Sequence, residues 1–239
     1  MPKSEYIELA TGDKIPILYE DRSVFAIDKP RGWMLAPDSW RETGRNLQAE
    51  LRAGLEAREH WARSRNLKFL RFVHRLDAET SGIVLMAKSQ GAVRALSELF
   101  ENRAIEKLYL AVVHGVPKHQ EWVCRLKLSV DPATHGKMKV DSRHGKEAET
   151  HFRVLDSSRD VTLIEVRPLT GRTHQIRVHL AESKHPVIGD SLYGTGQRRE
   201  KGMGLRAVRL AYDDPFTRRR VEIEAPTGSF LKHFGFRPI

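Results

Sequence analysis

The chain contains a single cysteine, Cys124, in 239 residues. An internal disulfide is therefore excluded, as is a zinc site built on cysteines, and a reducing compartment is the expectation. Nowhere does an apolar run approach the ~20 residues that a membrane-spanning helix needs. The N-terminal Met1-Pro2-Lys3-Ser4-Glu5 lacks the apolar core of a secretory signal, so a soluble, cytoplasmic protein is expected. A Walker-type Gly-Lys-Ser/Thr loop and a D-F-G triplet are both missing, which argues against nucleotide-driven phosphoryl transfer. His174 and His179 are five residues apart, so they do not share a helical face as an i, i+4 pair of metal ligands would. Neither a metal cluster nor a cofactor is expected. Acidic residues are in the minority: 31 Asp+Glu against 41 Lys+Arg leave a formal charge of +10, a balance that favours a polyanionic partner. Repeats, low-complexity segments and linker-like stretches are also lacking, and one globular unit over 1–239 is expected.

Apolar patterning sketches the fold. Ile15-Pro16-Ile17-Leu18-Tyr19 and Ser23-Val24-Phe25-Ala26-Ile27-Asp28, separated by Glu20-Asp21-Arg22, predict a hairpin. Leu47, Leu51 and Leu55 recur every four residues in the charged stretch 45–64, which predicts one amphipathic helix with a solvated basic and acidic face. Ile83-Val84-Leu85-Met86-Ala87, entered through Thr80-Ser81-Gly82, predicts a strand buried on both faces. Ser89 is placed to cap a helix carrying Val93, Leu96, Leu99 and Phe100. Further strands are predicted at 107–113, 122–126, 148–155, 161–166, 207–212 and 221–225. A helix is predicted from the Gly171-Arg172-Thr173 turn through Glu182, with Thr173 as its cap and Ile176 and Leu180 facing inward. The stretch 127–146 carries Lys137, Lys139, Arg143, His144 and Lys146 with only Met138 and Val140 as apolar anchors, and reads as a mobile basic hairpin or loop. Many strands, few helices and one-sided alternation predict an α+β fold on a mainly antiparallel sheet.

The polar residues ahead of the buried strand stand out. In His74-Arg75-Leu76-Asp77-Ala78-Glu79-Thr80-Ser81-Gly82 a carboxylate, Asp77, sits on a rigid mount, with a cation two residues upstream and two hydroxyls just downstream. These nine residues resemble the H-R-L-D-x-x-T-S-G pattern of the RluA-type RNA pseudouridine synthases. Three further segments match in order: Lys29-Pro30-Arg31-Gly32 resembles the family's K-P-x-G, Lys107 to Gly115 its K-x-Y-x-A-x-V-x-G, and Thr170 to His179 its T-G-R-T-H-Q-I-R-x-H. The resemblance runs through about residues 15–226. It implies a mainly antiparallel mixed β-sheet flanked by helices with a central active-site cleft, and an isomerase that converts uridine to pseudouridine within structured RNA, ribosomal or transfer RNA. Asp77 falls on the family's catalytic nucleophile, Arg177 on the cation that holds it ionised, and Tyr109 on the aromatic partner of the base.

That chemistry suits these residue types. The reaction breaks a C–N glycosidic bond, turns the freed uracil and rejoins it through carbon, with no net redox change and no group lost. It needs an anion beside the ribose or base, to attack or to abstract a proton, and a pocket that retains uracil between steps. A buried carboxylate tends to take up a proton, hence the need for a nearby cation. Tyr109 offers a ring to stack on uracil and a hydroxyl for proton transfer. A uridine inside folded RNA must be flipped out, at a cost of a few kcal/mol, and Arg75 has the planar head to fill the vacated space. Arg172 is expected to meet phosphate, Lys29 to lie near the RNA or base, and Ile188 in His185-Pro186-Val187-Ile188-Gly189-Asp190 to line the uracil pocket. Lys137, Lys139 and Arg143 are expected to meet backbone phosphates. His74 and His174 read as structural, hydrogen-bonding histidines.

The chain departs from the family pattern in two places. Leu35-Ala36-Pro37 stands where V-H-P is usual, and Leu205-Arg206-Ala207 where many members have L-H-A. The small RNA-binding module of many relatives is not expected ahead of Ile15, so recognition is expected from the catalytic domain itself, acting as a monomer. The competing reading is a non-catalytic RNA-binding or RNA-chaperone protein on the same fold.

Overall fold

Asp21 shows how local chemistry sets the first hairpin. Its Oδ1 accepts the backbone N–H groups of Ser23 and Val24, both at 2.7 Å, and so turns β2 (Lys14–Glu20) back onto β3 (Val24–Lys29) as an antiparallel pair. The structure is a computed structural model, described over residues 2–35, 45–196 and 201–238; Ala36 and Pro37 lie outside the described residues. The chain divides into two compact units, each assembled from two stretches: Met1–Ile105 with Leu210–Ala225, and Glu106–Arg209 with Pro226–Ile239. One boundary falls inside the strand β12 (Leu205–Asp213), where no linker composition could mark it.

In the first unit the strand order is β1-β2-β3-β5, then the end of β12. Here β1 is Tyr6–Glu8 and β5 is Ser81–Ala87; β4 (Arg71–Phe72) pairs with β5, and β13 (Arg220–Glu224) with β12. All but the first residue of β5 are buried, as its unbroken apolar run predicts. Helix α3 (Gln90–Glu101) starts where the Ser89 hydroxyl accepts the Ala92 N–H at 3.1 Å. Its Ala92 and Leu96 join Val24, Ala26, Ile83, Leu85, Leu210, Tyr212, Val221 and Ile223 in one core cluster. The single helix expected over 45–64 is instead two. Helix α1 (Leu47–Glu56), capped by the Asn46 side chain, ends before Arg58, whose φ of 55° lies in the left-handed region, and α2 (His60–Arg63) follows. Gly54 is the reason the break closes tightly. A Cβ there would lie 2.8 Å from the Trp61 ring, so only glycine lets the α2 indole rest on α1.

In the second unit the order is β6 (Glu106–His114), β11 (Val161–Pro168), β10 (Thr150–Ser158), β7 (Glu121–Cys124), with the start of β12 beside β6. The pairs β6–β11, β11–β10 and β10–β7 are all antiparallel. Along β6, Ala111 and Val113 pack toward Ile176 and Leu180 of α4 (Gln175–Glu182), while Leu110 and Val112 pack toward Leu231 and Phe234 of α5 (Gly228–Phe234). Cover on both faces explains the unbroken apolar run in place of strict alternation. The basic stretch after β7 is a paired hairpin of its own, β8 (Leu128–Val130) against β9 (Met138–Val140). The sequence predicts a basic hairpin or loop here with Met138 and Val140 as its only apolar anchors; Leu128, buried with Ala148 and Val178, is a further one. Together the elements form an α+β fold on a mostly antiparallel sheet, as the sequence predicts. Among the described residues no helix is long and apolar enough to cross a membrane.

Candidate active site

Asp77 lies on the connection between β4 and β5, half-buried between exposed Arg75 and buried Thr80. Its carbonyl accepts the Thr80 N–H at 3.1 Å, which closes the turn. Gly82, at the start of β5, has φ +113°, a conformation that side chains resist. This is the physical content of the Thr-Ser-Gly signature: the chain must swing from a tight turn straight into a buried strand. His74 is structural, as expected. Its Nε2 accepts the Leu85 N–H at 2.9 Å and its ring stacks on Phe100 at 4.8 Å.

The turn is clasped from below by the Lys-Pro-Arg-Gly loop. Lys29, at the end of β3 and opposite Gly82, has no exposed surface. Its ammonium donates to the carbonyls of Pro30 (3.0 Å), Trp33 (2.9 Å) and Ala78 (2.8 Å). The Gly32 N–H reaches the same Ala78 carbonyl at 2.8 Å. The Ala78–Glu79 peptide, one residue beyond Asp77, is thus held by two donors from a loop 49 and 46 positions earlier. Burial lowers the Lys29 pKa to about 8, against the pull of Glu79 and Asp77. All three donors of the Lys29 ammonium meet backbone carbonyls, one of them in the Asp77 turn.

In the second unit the chemistry gathers on α4, whose Gln175 to Leu180 are all buried. The helix does not start on Thr173. His174 occupies the cap position in the left-handed region, φ 53°, without a side-chain capping bond. Gln175 does the work instead, its Oε1 accepting from Thr170 Oγ1 (2.6 Å) and Arg172 N–H (3.0 Å) while its Nε2 donates to Glu149 O and Thr150 Oγ1. Lys107 of the Lys-x-Tyr motif donates to the Thr170 carbonyl at 3.1 Å, tying β6 to the same turn. Tyr109, two residues on, is half-buried against the core cluster beneath α4.

Arg177 is 4% exposed and grips Asp190 through two parallel bonds, Nε to Oδ2 at 2.7 Å and Nη2 to Oδ1 at 2.8 Å. Burial alone would raise the Asp190 pKa, but the guanidinium and the Leu192 and Tyr193 N–H groups outweigh it and hold the carboxyl below the usual range. A buried fork of this kind fixes the plane of the arginine head. Asp190 and Tyr193 escaped the sequence reading, although Asp190 ends the segment quoted for Ile188. The Tyr193 ring lies 5.1 Å from the Arg177 guanidinium carbon and 5.5 Å from Lys137 Nζ.

The remaining candidates divide. Arg172 Nε donates to the Glu147 carbonyl at 2.9 Å from a half-buried position. Ile188 is 1% exposed and packs in the cluster that holds Leu110, Val112 and Phe230. Lys139 on β9 and Arg143 in the turn after β9 are exposed, and Lys137 is half-buried. Arg206, standing where many relatives have histidine, donates twice to the Pro226 carbonyl, at 3.1 and 2.9 Å. Lys29, Arg75 and Asp77 belong to the first unit; Tyr109, Arg172, Arg177, Ile188 and the hairpin residues belong to the second.

Solved structures share this architecture. Human RNA Pseudouridylate Synthase Domain Containing 1 superposes with a TM-score of 0.70 at 27% identity, over 89% of this chain and 83% of that one. Human RNA Pseudouridylate Synthase Domain Containing 4 gives 0.71 at 24% identity, over 91% and 90%. The fold is that of the pseudouridine synthases, isomerases of uridine in RNA. Residues 23–182 match the family profile described as RNA pseudouridylate synthase. The uncharacterized RNA pseudouridine synthase YlyB of Bacillus subtilis is 36% identical over 231 residues, 95% of this chain and 74% of the relative. Ribosomal large subunit pseudouridine synthase C of Escherichia coli is 35% identical over 231 residues, 90% of this chain and 67% of the relative. The chain belongs to the RNA pseudouridylate synthase family, in its RluA branch.

Proposed function

We propose that the protein isomerises specific uridines to pseudouridine in structured RNA, with large-subunit ribosomal RNA as the first substrate class and transfer RNA as the second, and that Asp77 is the nucleophile. The observation that carries this reading is the Asp77 turn. A carboxylate is mounted on the turn that leads into a buried strand, and the carbonyl of the next residue, Ala78, is held by Lys29 and Gly32. Such preorganisation is what an attacking group needs and what a solvent-facing turn would not require. The target uridine is flipped from its stack, with Arg75 in the space it leaves. Tyr109 and Arg177 are assigned to the same reaction by their motifs: the tyrosine for stacking and proton transfer, the arginine, aimed by Asp190, for charge. The glycosidic C–N bond breaks, the uracil turns, and the new C–C bond forms as a proton leaves carbon and another is taken up at nitrogen. The choice of ribosomal RNA is supported by the names of the large-subunit relatives.

The test uses an unmodified transcript of bacterial large-subunit ribosomal RNA and mass mapping of pseudouridine. Wild type forms product, and Asp77→Asn, nearly isosteric but without the anion, loses on the order of a thousandfold or more in rate. RNA affinity stays within about twofold. Binding without product by the wild type would make the chain a non-catalytic RNA-binding protein.

A further inference from the structure

Tyr193 meets both the basic hairpin and the arginine anchor. Its Oη accepts the Met138 N–H of β9 at 2.7 Å and lies 2.9 Å from His174 Nδ1 at the cap of α4. Its ring lies near both the Lys137 ammonium and the Arg177 guanidinium, and its own N–H donates to Asp190 Oδ1, which also accepts from Arg177. The hairpin's apolar side, Leu128, Met138 and Val140, packs with Val178 of α4 and with Tyr193. The hydroxyl thus holds the hairpin backbone and reaches the α4 cap, the ring faces both Arg177 and Lys137, and the N–H joins the Arg177–Asp190 fork.

We infer that Tyr193 is a positioning residue with two separable parts: its hydroxyl latches the β8–β9 hairpin in the place from which Lys137, Lys139 and Arg143 meet RNA, and its ring steadies Arg177. The inference rests on the reading of the protein as a pseudouridine synthase whose hairpin contacts RNA. It differs from a general stabilising role because the two parts must appear in different kinetic constants. A cation over an aromatic face contributes through the ring alone, whereas a backbone N–H held by a phenol depends on the hydroxyl alone.

The experiment compares the full-length wild type with Tyr193→Phe and Tyr193→Leu. In Tyr193→Phe the ring stays. The Met138 amide should exchange with solvent at least about tenfold faster, the half-saturating concentration of the large-subunit transcript should rise about three- to tenfold, and the saturated rate should stay within about twofold. In Tyr193→Leu, a variant that also loses the ring, the saturated rate should fall as well, by about tenfold. Unchanged Met138 exchange in Tyr193→Phe overturns the latch. Equal loss of saturated rate in both variants overturns the separation of hydroxyl from ring. If the wild type makes no pseudouridine at all, the proposed function fails, while Met138 exchange and direct binding of the transcript by Tyr193→Phe still decide the latch.

Discussion

Lysine is among the residues least often enclosed in a protein, because its ammonium is costly to desolvate. Lys29 is enclosed nonetheless, and three carbonyls take the place of water. Burial lowers its pKa from 10.5 to about 8, and the consequence for stability has a definite sign. Between those two values the unfolded chain still holds the proton and the folded chain has released it. Unfolding free energy attributable to this group therefore rises with pH over that window, by up to roughly 3 kcal/mol at its alkaline end. Below about pH 8 both states are protonated and the desolvation penalty is at its full value. Chemical denaturation of wild type and Lys29→Met from about pH 7.5 to 10 should show a difference in stability that grows in the wild type's favour as pH rises. A difference that stays constant over that range would give Lys29 an ordinary proton affinity. At this scale the sequence was legible where a motif named the residue and not where geometry chose its partner. Lys29 stood out in its loop, but Ala78, 49 positions away, could not be seen as its acceptor. Arg177 stood out too, and by composition alone it would have been read as a solvated helix cation. Its grip on Asp190 depends on a loop folding back 13 positions later, which periodicity does not encode.

Strands of the core were legible as elements because their signal is local. β3, β5, β6 and β12 announce themselves through runs of apolar residues, and α3 through its Ser89 cap and its stripe. The short pieces were not. Three-residue β1 and two-residue β4 carry too few residues for any period to emerge, and they form because a neighbour offers them an edge. The stretch that holds β8 and β9 was read by its charge as a mobile basic hairpin or loop; the hairpin is there, and its buried anchor, Leu128, is a single residue ahead of a polar stretch that no period reveals. Order matters to its role. If it meets RNA as proposed, a hairpin held against α4 presents its cations at fixed spacing, so each phosphate contact would cost less conformational entropy than one made by a free loop. Changing Lys137, Lys139 and Arg143 to Gln should weaken binding of the large-subunit transcript. It should also flatten the dependence of log affinity on log salt by about two, at roughly 0.7 per phosphate for single strands. The saturated rate should change much less. Wild-type affinity and salt slope in the triple variant would move RNA recognition to another part of the basic surface.

Chain connectivity governs the behaviour of the whole molecule, and it runs against a reading by segments. The polypeptide leaves the first unit after Ile105, returns at Leu210 and leaves again after Ala225. Composition shows no trace of these crossings, because one falls between a helix and a strand and another in mid-strand. The energetic consequence is large. Leu210, Tyr212, Val221, Ile223 and Ala225 come from the returning stretch and sit among Val24, Ala26, Ile83, Leu85 and Leu96. Burying a large apolar side chain contributes roughly 1.5–3 kcal/mol, so the four large ones together rival the ~5–15 kcal/mol net stability of a whole domain. Residues 1–105 made alone should therefore fail to fold. Far-UV circular dichroism of that fragment should show no cooperative melt, and its core amides should exchange without protection, while the full chain melts cooperatively. A peptide spanning 205–225, added in trans, should restore protection to β5 and α3, since it supplies the missing strands β12 and β13. A cooperative transition in the isolated fragment would mean that the strands and helices of 1–105 close a core by themselves, and that the returning strands add to a unit already formed.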